Sequence, residues 1–140
     1  MEIKIKEIAE GFTPVYMHET DACADCMANV DKVIIPQGDT VVVPLGFAVE
    51  IPAGYEGIVK PRSGQAASGF VCITGTIDPG YIGEVKAIIT NLSDDAWKIN
   101  RGDRICQFKV QKSEKINFIK VNQLAESERG ENALGSTGIK

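Results

Sequence analysis

The chain has 140 residues, a formal net charge of −4 and a hydrophobic content of 44%. A chain of this length can bury one ordinary core and is too short for two comfortable domains, so we expect a single domain. The acidic balance argues against a nucleic-acid surface, since binding to a phosphate backbone needs clustered Lys and Arg. A free nucleotide needs only a few positive or amide donors inside a site, which an acidic protein can supply locally.

The N-terminal residues 1–6 alternate apolar and charged side chains, as a strand does. No apolar run resembles the core of a signal peptide. No stretch approaches the roughly 20 apolar residues that span a bilayer. We therefore expect a cytoplasmic protein with no membrane partner.

The pattern that follows is one of short strands separated by Gly, Pro, Asn and Asp. It predicts strands over residues 33–36, 40–44, 46–51, 56–61, 70–73, 81–91, 103–112 and 115–121, and one short helix over 63–68. Many short strands favour an all-β fold, an antiparallel sandwich or barrel. From Ala125 onward the composition shifts to Glu, Ser, Gly and Asn, so we predict a β domain over 1–125 and a flexible tail over 126–140.

Four cysteines include a C-x-x-C pair, Cys23 and Cys26. A structural zinc site needs four ligands, and neither a second close pair of cysteines nor more than one histidine, His18, is present. We predict plain, partly buried thiols in a reducing compartment.

The segment 75–83 carries an acidic and an aromatic residue three positions apart, Asp78 and Tyr81, on what we predict to be a hairpin. Pro79 and Gly80 are typical of a tight turn, and Gly75 allows the backbone to approach a flat polar ring closely. From this segment alone, an ordinary hairpin with a solvated Asp78 is an equally good interpretation.

Residues Arg62, Ser63 and Gly64 follow a predicted strand and open the predicted helix. Free N–H groups and the helix dipole favour an anion at such a position. The alternative is a capped helix start with an exposed arginine. Gln107 carries an amide that can donate to a phosphate, or that only solvates the end of its strand.

Taken together and in this order, five segments resemble the five motifs of the trimeric dUTPases. They are residues 24–28 around Asp25, 61–64, 75–83, 101–108, and Arg129-Gly130 with 135–138. The resemblance spans nearly the whole chain. It implies a jelly-roll fold, a homotrimer with shared active sites, and Mg²⁺-dependent hydrolysis of dUTP to dUMP and pyrophosphate.

The resemblance also implies residue roles. Asp78 acts as the general base for the water that attacks the α-phosphorus, and Asp25 accepts from a water on the metal. Tyr81 lies under the sugar and excludes a 2′-hydroxyl. The phosphates are contacted by Ser63, Gly64 and Gln107 with Arg62 organising the loop, and uracil by the backbone of Gly75, Thr76 and Ile77.

In the family the C-terminal tail closes over the nucleotide. The resemblance therefore implies that Arg129, Leu134, Gly135, Ser136 and Thr137 contact the substrate, with Leu134 in place of the aromatic that usually stacks on the base. The Asn that usually precedes the glycine of the third motif is missing, so side-chain contacts to uracil are unassigned.

Two alternatives remain at this point. A dCTP deaminase shares the fold and parts of the motif series, but it carries a glutamate three residues before the Asn that matches Asn91, where this chain has Ile88. The other alternative is a nucleotide-gated regulatory binding protein.

Overall fold

The computed structural model of the chain describes residues 1–128, 130 and 131. Over these residues the chain forms eleven strands and one short helix. In chain order they are β1 (Lys4–Glu7), β2 (Ala24–Met27), β3 (Lys32–Ile35), β4 (Thr40–Pro44), β5 (Phe47–Glu50), β6 (Tyr55–Lys60), α1 (Ser63–Ala67), β7 (Phe70–Cys72), β8 (Thr76–Ile77), β9 (Lys86–Asn91), β10 (Trp97–Asn100) and β11 (Arg104–Lys112).

The strands pair antiparallel in four small sheets. The largest has the order β2-β11-β6-β8, the next is β4-β9-β7, and two ribbons pair β1 with β5 and β10 with β3. In the largest sheet, β2 and β8 therefore form the two opposite edges.

The sheets enclose one apolar core to which all four contribute. Phe47, Leu45, Ile35, Ile89 and Ile99 are among its fully buried side chains. Burying an aliphatic or aromatic side chain of this size contributes about 1.5–3 kcal/mol, so this cluster is the main source of stability. Strand β9 shows the underlying pattern, because every second residue is buried.

The all-β, single-domain prediction is confirmed, and the predicted helix over 63–68 is α1 with Ser68 as its C-cap. Strands predicted over 33–36, 40–44, 46–51, 56–61, 70–73 and 103–112 correspond to β3, β4, β5, β6, β7 and β11. Strands β2 and β10 were not predicted. Strand β2 does not alternate, because its first three residues are all buried, whereas β10 does alternate apolar and polar residues but is only four residues long. The domain boundary at 125/126 stays a prediction.

Three expectations about strands were wrong. The strand predicted over 81–91 begins only at Lys86, and residues 115–121 form no strand in this chain. The segment 75–83 is not a β-hairpin, because β8 pairs with β6 whereas β9 pairs with β4 and β7. The strands before and after the turn thus belong to different sheets. Strand pairing is decided by tertiary packing, which the residues of the turn do not specify.

No helix among the described residues is long and apolar enough to cross a membrane.

The four cysteines are free thiols, of which Cys26, Cys72 and Cys106 are buried and Cys23 is partly exposed. A hydrogen bond with Cys106, together with burial, raises the pKa of the Cys72 thiol well above its ordinary value. The contact with Cys26 raises the pKa of Cys106 in the same way. Because the thiolate is the nucleophile, these buried groups are poorly reactive.

We expect iodoacetamide at pH 8 to label only Cys23 in the folded protein. Peptide mass spectrometry after a short exposure measures the label at each site, and the same treatment in denaturant, where all four cysteines should react, is the control. Rapid labelling of Cys72 or Cys106 under native conditions would contradict the protected arrangement.

Candidate functional site

A buried carboxylate, Asp25, organises one cleft of the protein. Gln107 donates from Nε2 to Asp25 Oδ1 over 3.0 Å, and Arg104 donates from Nη1 to Oδ2 over 3.2 Å. Arg62 Nη2 lies 3.4 Å from the same Oδ2, while only 6% of the Asp25 side chain is exposed. A charge this deeply buried is stable only when paired and hydrogen-bonded, as it is here.

Strand register and one irregularity build this cluster. Asp25 on β2 stands directly opposite Gln107 on β11. Side chains alternate between the two faces of a strand, so Arg104, three residues before Gln107, would lie on the opposite face of a regular β11. The register shifts between Arg104 and Cys106, so an extra residue, Ile105, changes the phase and turns Arg104 toward Asp25.

Helix α1 is held by hydrogen bonds to the Arg104 backbone, next to Asp25. Arg62 Nη1 and Gln65 Nε2 both donate to the Arg104 carbonyl, over 3.1 and 3.0 Å. Ser63 and Gly64 follow Arg62 on the exposed first turn of α1. The first N–H groups of a helix have no partner within it, so this turn offers donors beside the two guanidinium groups.

The resulting cleft has a volume of about 470 Å³. It is lined by Met17, His18, Asp21, Ala22, Cys23, Asp25, Arg62, Arg104 and Gln107, and we call it the arginine cleft. Asp21 on its rim is held by His18, whose backbone N–H donates to Asp21 Oδ2 over 2.8 Å. Two guanidinium groups share the single buried carboxylate, which leaves donors and positive charge for an anion.

A second cleft, of about 330 Å³, is formed by the segment after β7 and by β9. It is lined by Val42, Thr74, Gly75, Thr76, Ile77, Asp78, Tyr81, Lys86 and Ile88, and we call it the turn cleft. Asp78 is exposed and is the only carboxylate among these lining residues. Lys86 was not singled out from the sequence, because a single Lys at the start of a strand carries no motif.

One β-turn fixes Asp78 and Tyr81 relative to each other. The Tyr81 N–H donates to the Asp78 carbonyl over 3.2 Å, and Gly80 has φ +90°. Pro at the second position and a glycine with positive φ at the third are the requirements of a type II turn. The backbones of Asp78 and Tyr81 are therefore held at the two ends of one turn.

The two clefts share no lining residue and lie apart within one chain. Asp25, Gln107 and Lys60 stand in one row across β2, β11 and β6, whereas Ile77 on β8 pairs with Gly57, three residues further along β6. At standard strand spacings, Asp25 and Ile77 are about 14 Å apart across the sheet and about 10 Å apart along it, or roughly 17 Å in all.

The sequence-predicted residues thus divide into two groups. Asp25, Arg62 and Gln107 meet in the arginine cleft with Ser63 and Gly64 beside them, while Gly75, Thr76, Ile77, Asp78 and Tyr81 meet in the turn cleft. Arg129, Leu134, Gly135, Ser136 and Thr137 lie outside the described residues. Arg104 was missed as a site residue although it belongs to the fourth motif, since the phase shift that turns it inward is not readable from the sequence.

The position that would hold the base of a deaminase lies in the turn cleft. Ile88 is partly exposed there and supplies an apolar wall instead of a carboxylate. Asn91 is fully buried, and its side-chain amide donates to the Ile35 and Asp95 carbonyls. Its role in this chain is structural.

The family model described as dUTPase matches residues 10–138. The chain belongs to the dUTPase family. It is 40% identical over 143 residues to the deoxyuridine 5'-triphosphate nucleotidohydrolase of Helicobacter pylori strain J99, with 99% of this chain and 98% of the relative covered.

Solved structures of the family have the same fold. The dUTPase of Staphylococcus bacteriophage 80alpha, solved with dUpNHpp, superposes with a TM-score of 0.89 at 26% identity, covering 99% of each chain. The dUTPase of phage phi11 of S. aureus, described with a structural Mg(II) ion, gives a TM-score of 0.80 at 23% identity, covering 88% of this chain and 98% of that one.

Proposed function

We propose that this protein is a dUTP diphosphatase, which hydrolyses dUTP to dUMP and pyrophosphate. The observation that carries the proposal is the exposed Asp78 carboxylate, held by one turn in the same cleft as the Tyr81 ring. Selective hydrolysis of one nucleotide requires a general base near the phosphate and an aromatic ring against the sugar, and Asp78 and Tyr81 place both groups in this cleft. The regulatory alternative stays a hypothesis.

Asp78 acts as the general base in this proposal. An exposed carboxylate within hydrogen-bond reach of a water can accept its proton and orient it for in-line attack on the α-phosphorus. The new P–O bond forms as the bond to the bridging oxygen breaks, so that pyrophosphate leaves and dUMP remains. The Asp78 side chain is free to meet a ligand, because the turn is held by its backbone carbonyl.

The triphosphate is bound by the arginine cleft and by the first turn of α1. Arg62, Arg104 and Gln107 supply charge and amide donors there. Gly64 supports the assignment, since a Cβ at this position would meet nothing within 4 Å and its φ is not positive. A glycine inside a helix costs about 0.5–1 kcal/mol relative to Ala, and the absent side chain lets a phosphate approach the backbone closely.

The residues of the arginine cleft can contact Mg²⁺ only through a metal-bound water. Among the described residues, no group of three or more His, Cys, Asp or Glu could hold a metal ion by itself. Three side-chain donors surround the Asp25 carboxylate, which has about four lone-pair sites, so Asp25 can still accept from one metal-bound water. Mg²⁺ carried by the triphosphate would neutralise charge on the phosphate oxygens.

The turn cleft binds the nucleoside. Gly75, like Gly64, has open space where a Cβ would stand, so a flat base can approach its backbone together with that of Thr76 and Ile77. Tyr81 takes the sugar, and Ile88 with Val42 forms an apolar wall. In the proposed lid, Arg129, Ser136 and Thr137 add donors to the phosphates, and Leu134 covers the base.

A complete site needs more than one chain. Roughly 17 Å separates Asp25 from Ile77, too far for both clefts of one chain to act on one α-phosphorus. The clefts lie at the opposite edges β2 and β8 of one sheet, so a head-to-tail contact between copies would join them, and such contacts form a closed ring where the rotation between copies closes. The exposed apolar side chains of Ile116, Phe118 and Ile119 support a partner surface. We propose a homotrimer with shared sites.

The deciding experiment measures pyrophosphate release from dUTP, dCTP, dTTP and UTP, each with Mg²⁺ and with chelator. We expect dUTP to be hydrolysed far faster than the other three, and only with Mg²⁺. Equal rates on all four substrates, or ammonia release from dCTP, would overturn the proposal.

Changing Tyr81 to Ala should mainly improve the relative use of UTP, because the ring no longer occupies the place of a 2′-hydroxyl. We expect the ratio of kcat/KM for dUTP over UTP to fall by about tenfold to a hundredfold. Tyr16→Ala, which removes an exposed tyrosine outside the turn cleft, is the matched control. An unchanged ratio in Tyr81→Ala would show that Tyr81 does not discriminate between deoxyribose and ribose.

A further inference from the structure

The Tyr81 ring rests on a glycine. A Cβ at Gly83 would stand 2.7 Å from the Tyr81 hydroxyl oxygen, 2.8 Å from Cζ and 3.1 Å from Cε2. Real Cβ atoms essentially never approach that closely, and Gly83 has no positive φ that would require glycine. The position is therefore kept empty by the ring itself, which packs against the Gly83 backbone while 44% of Tyr81 stays exposed toward the cleft.

The hydroxyl of Tyr81 is anchored one residue further on. It donates to the Glu84 carbonyl over 2.9 Å. The packed face and the bonded hydroxyl both favour this rotamer of the ring over the others. The position of the ring is thus only as well defined as the position of residue 84.

Glu84 is in turn fixed to the body of the protein by its side chain. Its Oε1 accepts from the Gly46 N–H over 2.9 Å and from Asn29 Nδ2 over 3.1 Å. Those donors are 38 and 55 residues away in the chain, in the segments between β4 and β5 and between β2 and β3. Hydrogen bonds to a carboxylate are stronger than those between neutral groups.

We infer that Glu84 is a positioning residue for sugar discrimination, which acts through the Tyr81 ring that it and Gly83 hold in place. The inference rests on the proposed function of the turn cleft. Without the carboxylate, the Gly83–Glu84 backbone loses its attachment to Gly46 and Asn29. It is then held from its C-terminal side, where Val85 pairs with Phe47 and Leu45 through backbone hydrogen bonds. The ring then moves with that backbone, and the space that excludes a 2′-hydroxyl opens.

Glu84→Ala and Glu84→Gln test this inference as a matched pair. The glutamine keeps an oxygen that can accept from both Gly46 and Asn29, whereas alanine removes it. We expect the ratio of kcat/KM for dUTP over UTP to fall by about tenfold in Glu84→Ala and to stay within about twofold of the wild type in Glu84→Gln. The thermal midpoint of each variant is measured alongside.

A second route to the same result leaves the Glu84 side chain intact. In Gly83→Ala the added Cβ displaces the Tyr81 ring, so the ratio of kcat/KM for dUTP over UTP should fall here as well. This variant shows whether ring position matters even if Glu84→Ala does not fold. A lowered thermal midpoint with an unchanged dUTP/UTP ratio in Glu84→Ala would make Glu84 purely structural and overturn the inference. An unchanged ratio in folded Gly83→Ala would overturn it too, because the position of the Tyr81 ring would then not set sugar discrimination. Failure of the proposed function looks different, since the wild type itself would then not hydrolyse dUTP selectively.

Discussion

Replacing Asp78 by Asn is expected to lower the turnover of dUTP by roughly two to four orders of magnitude, the usual contribution of a general base. Asparagine keeps the size of the side chain and its ability to accept a hydrogen bond, but it cannot take a proton from water. The turn should persist, because it is held by the Asp78 carbonyl, the Tyr81 N–H and the positive φ of Gly80. Nucleotide binding should therefore survive.

Two measurements separate binding from chemistry in this variant. Pyrophosphate release gives turnover, and calorimetry with a non-hydrolysable dUTP analogue gives affinity. Asp39→Asn is the matched control, because Asp39 is an exposed carboxylate that lines neither cleft. Full turnover in Asp78→Asn would show that another group activates the water.

Mixing two inactive variants is expected to restore activity. Asp78→Asn is expected to disable the turn cleft. Arg62→Ala is expected to disable the arginine cleft, because Arg62 is a proposed phosphate ligand and contacts both Asp25 and Arg104. If each site combines the turn cleft of one chain with the arginine cleft of another, random mixed trimers carry intact sites. About a quarter of all sites should then be active at equal amounts of the two chains.

The mixture is prepared by co-refolding, and its pyrophosphate release is compared with that of each variant refolded alone. Arg62→Ala mixed with Arg104→Ala is the control, because both defects lie in the same cleft and cannot compensate for each other. Mixed oligomers that remain inactive would contradict the shared site. So would a fully active monomer at high dilution, measured by light scattering.

Local information was enough for much of the fold. Alternation of buried and exposed residues along β9, and the apolar run of β4, are set by side chains that must reach the core on every second position. The short helix after Pro61 and the tight turn at Pro79 and Gly80 follow from backbone preferences that act within a few residues.

The order of motifs along the chain likewise identified segments that hold nine of the eighteen described residues that line the two clefts, Asp25 and Asp78 among them. A motif names residues whose chemistry is needed, whatever their distance in space. It does not say which of them meet within one chain. Asp25 and Asp78 were predicted to meet in one site that is shared between subunits, and strand pairing within one chain sets β2, which holds Asp25, and β8, which Asp78 follows, at opposite edges of one sheet.

Long-range pairing decided the rest. The phase shift in β11 turns Arg104 toward Asp25, and the partners chosen by β8 and β9 separate the two arms of the turn. Residues 115–121 have the composition of a strand but no neighbouring strand in this chain, and a strand forms only where another backbone satisfies its hydrogen bonds. The sequence by itself determined which residues favour strands, turns and nucleotide chemistry. Only the tertiary structure decided their partners, because register and sheet order depend on the packing of distant segments around one core.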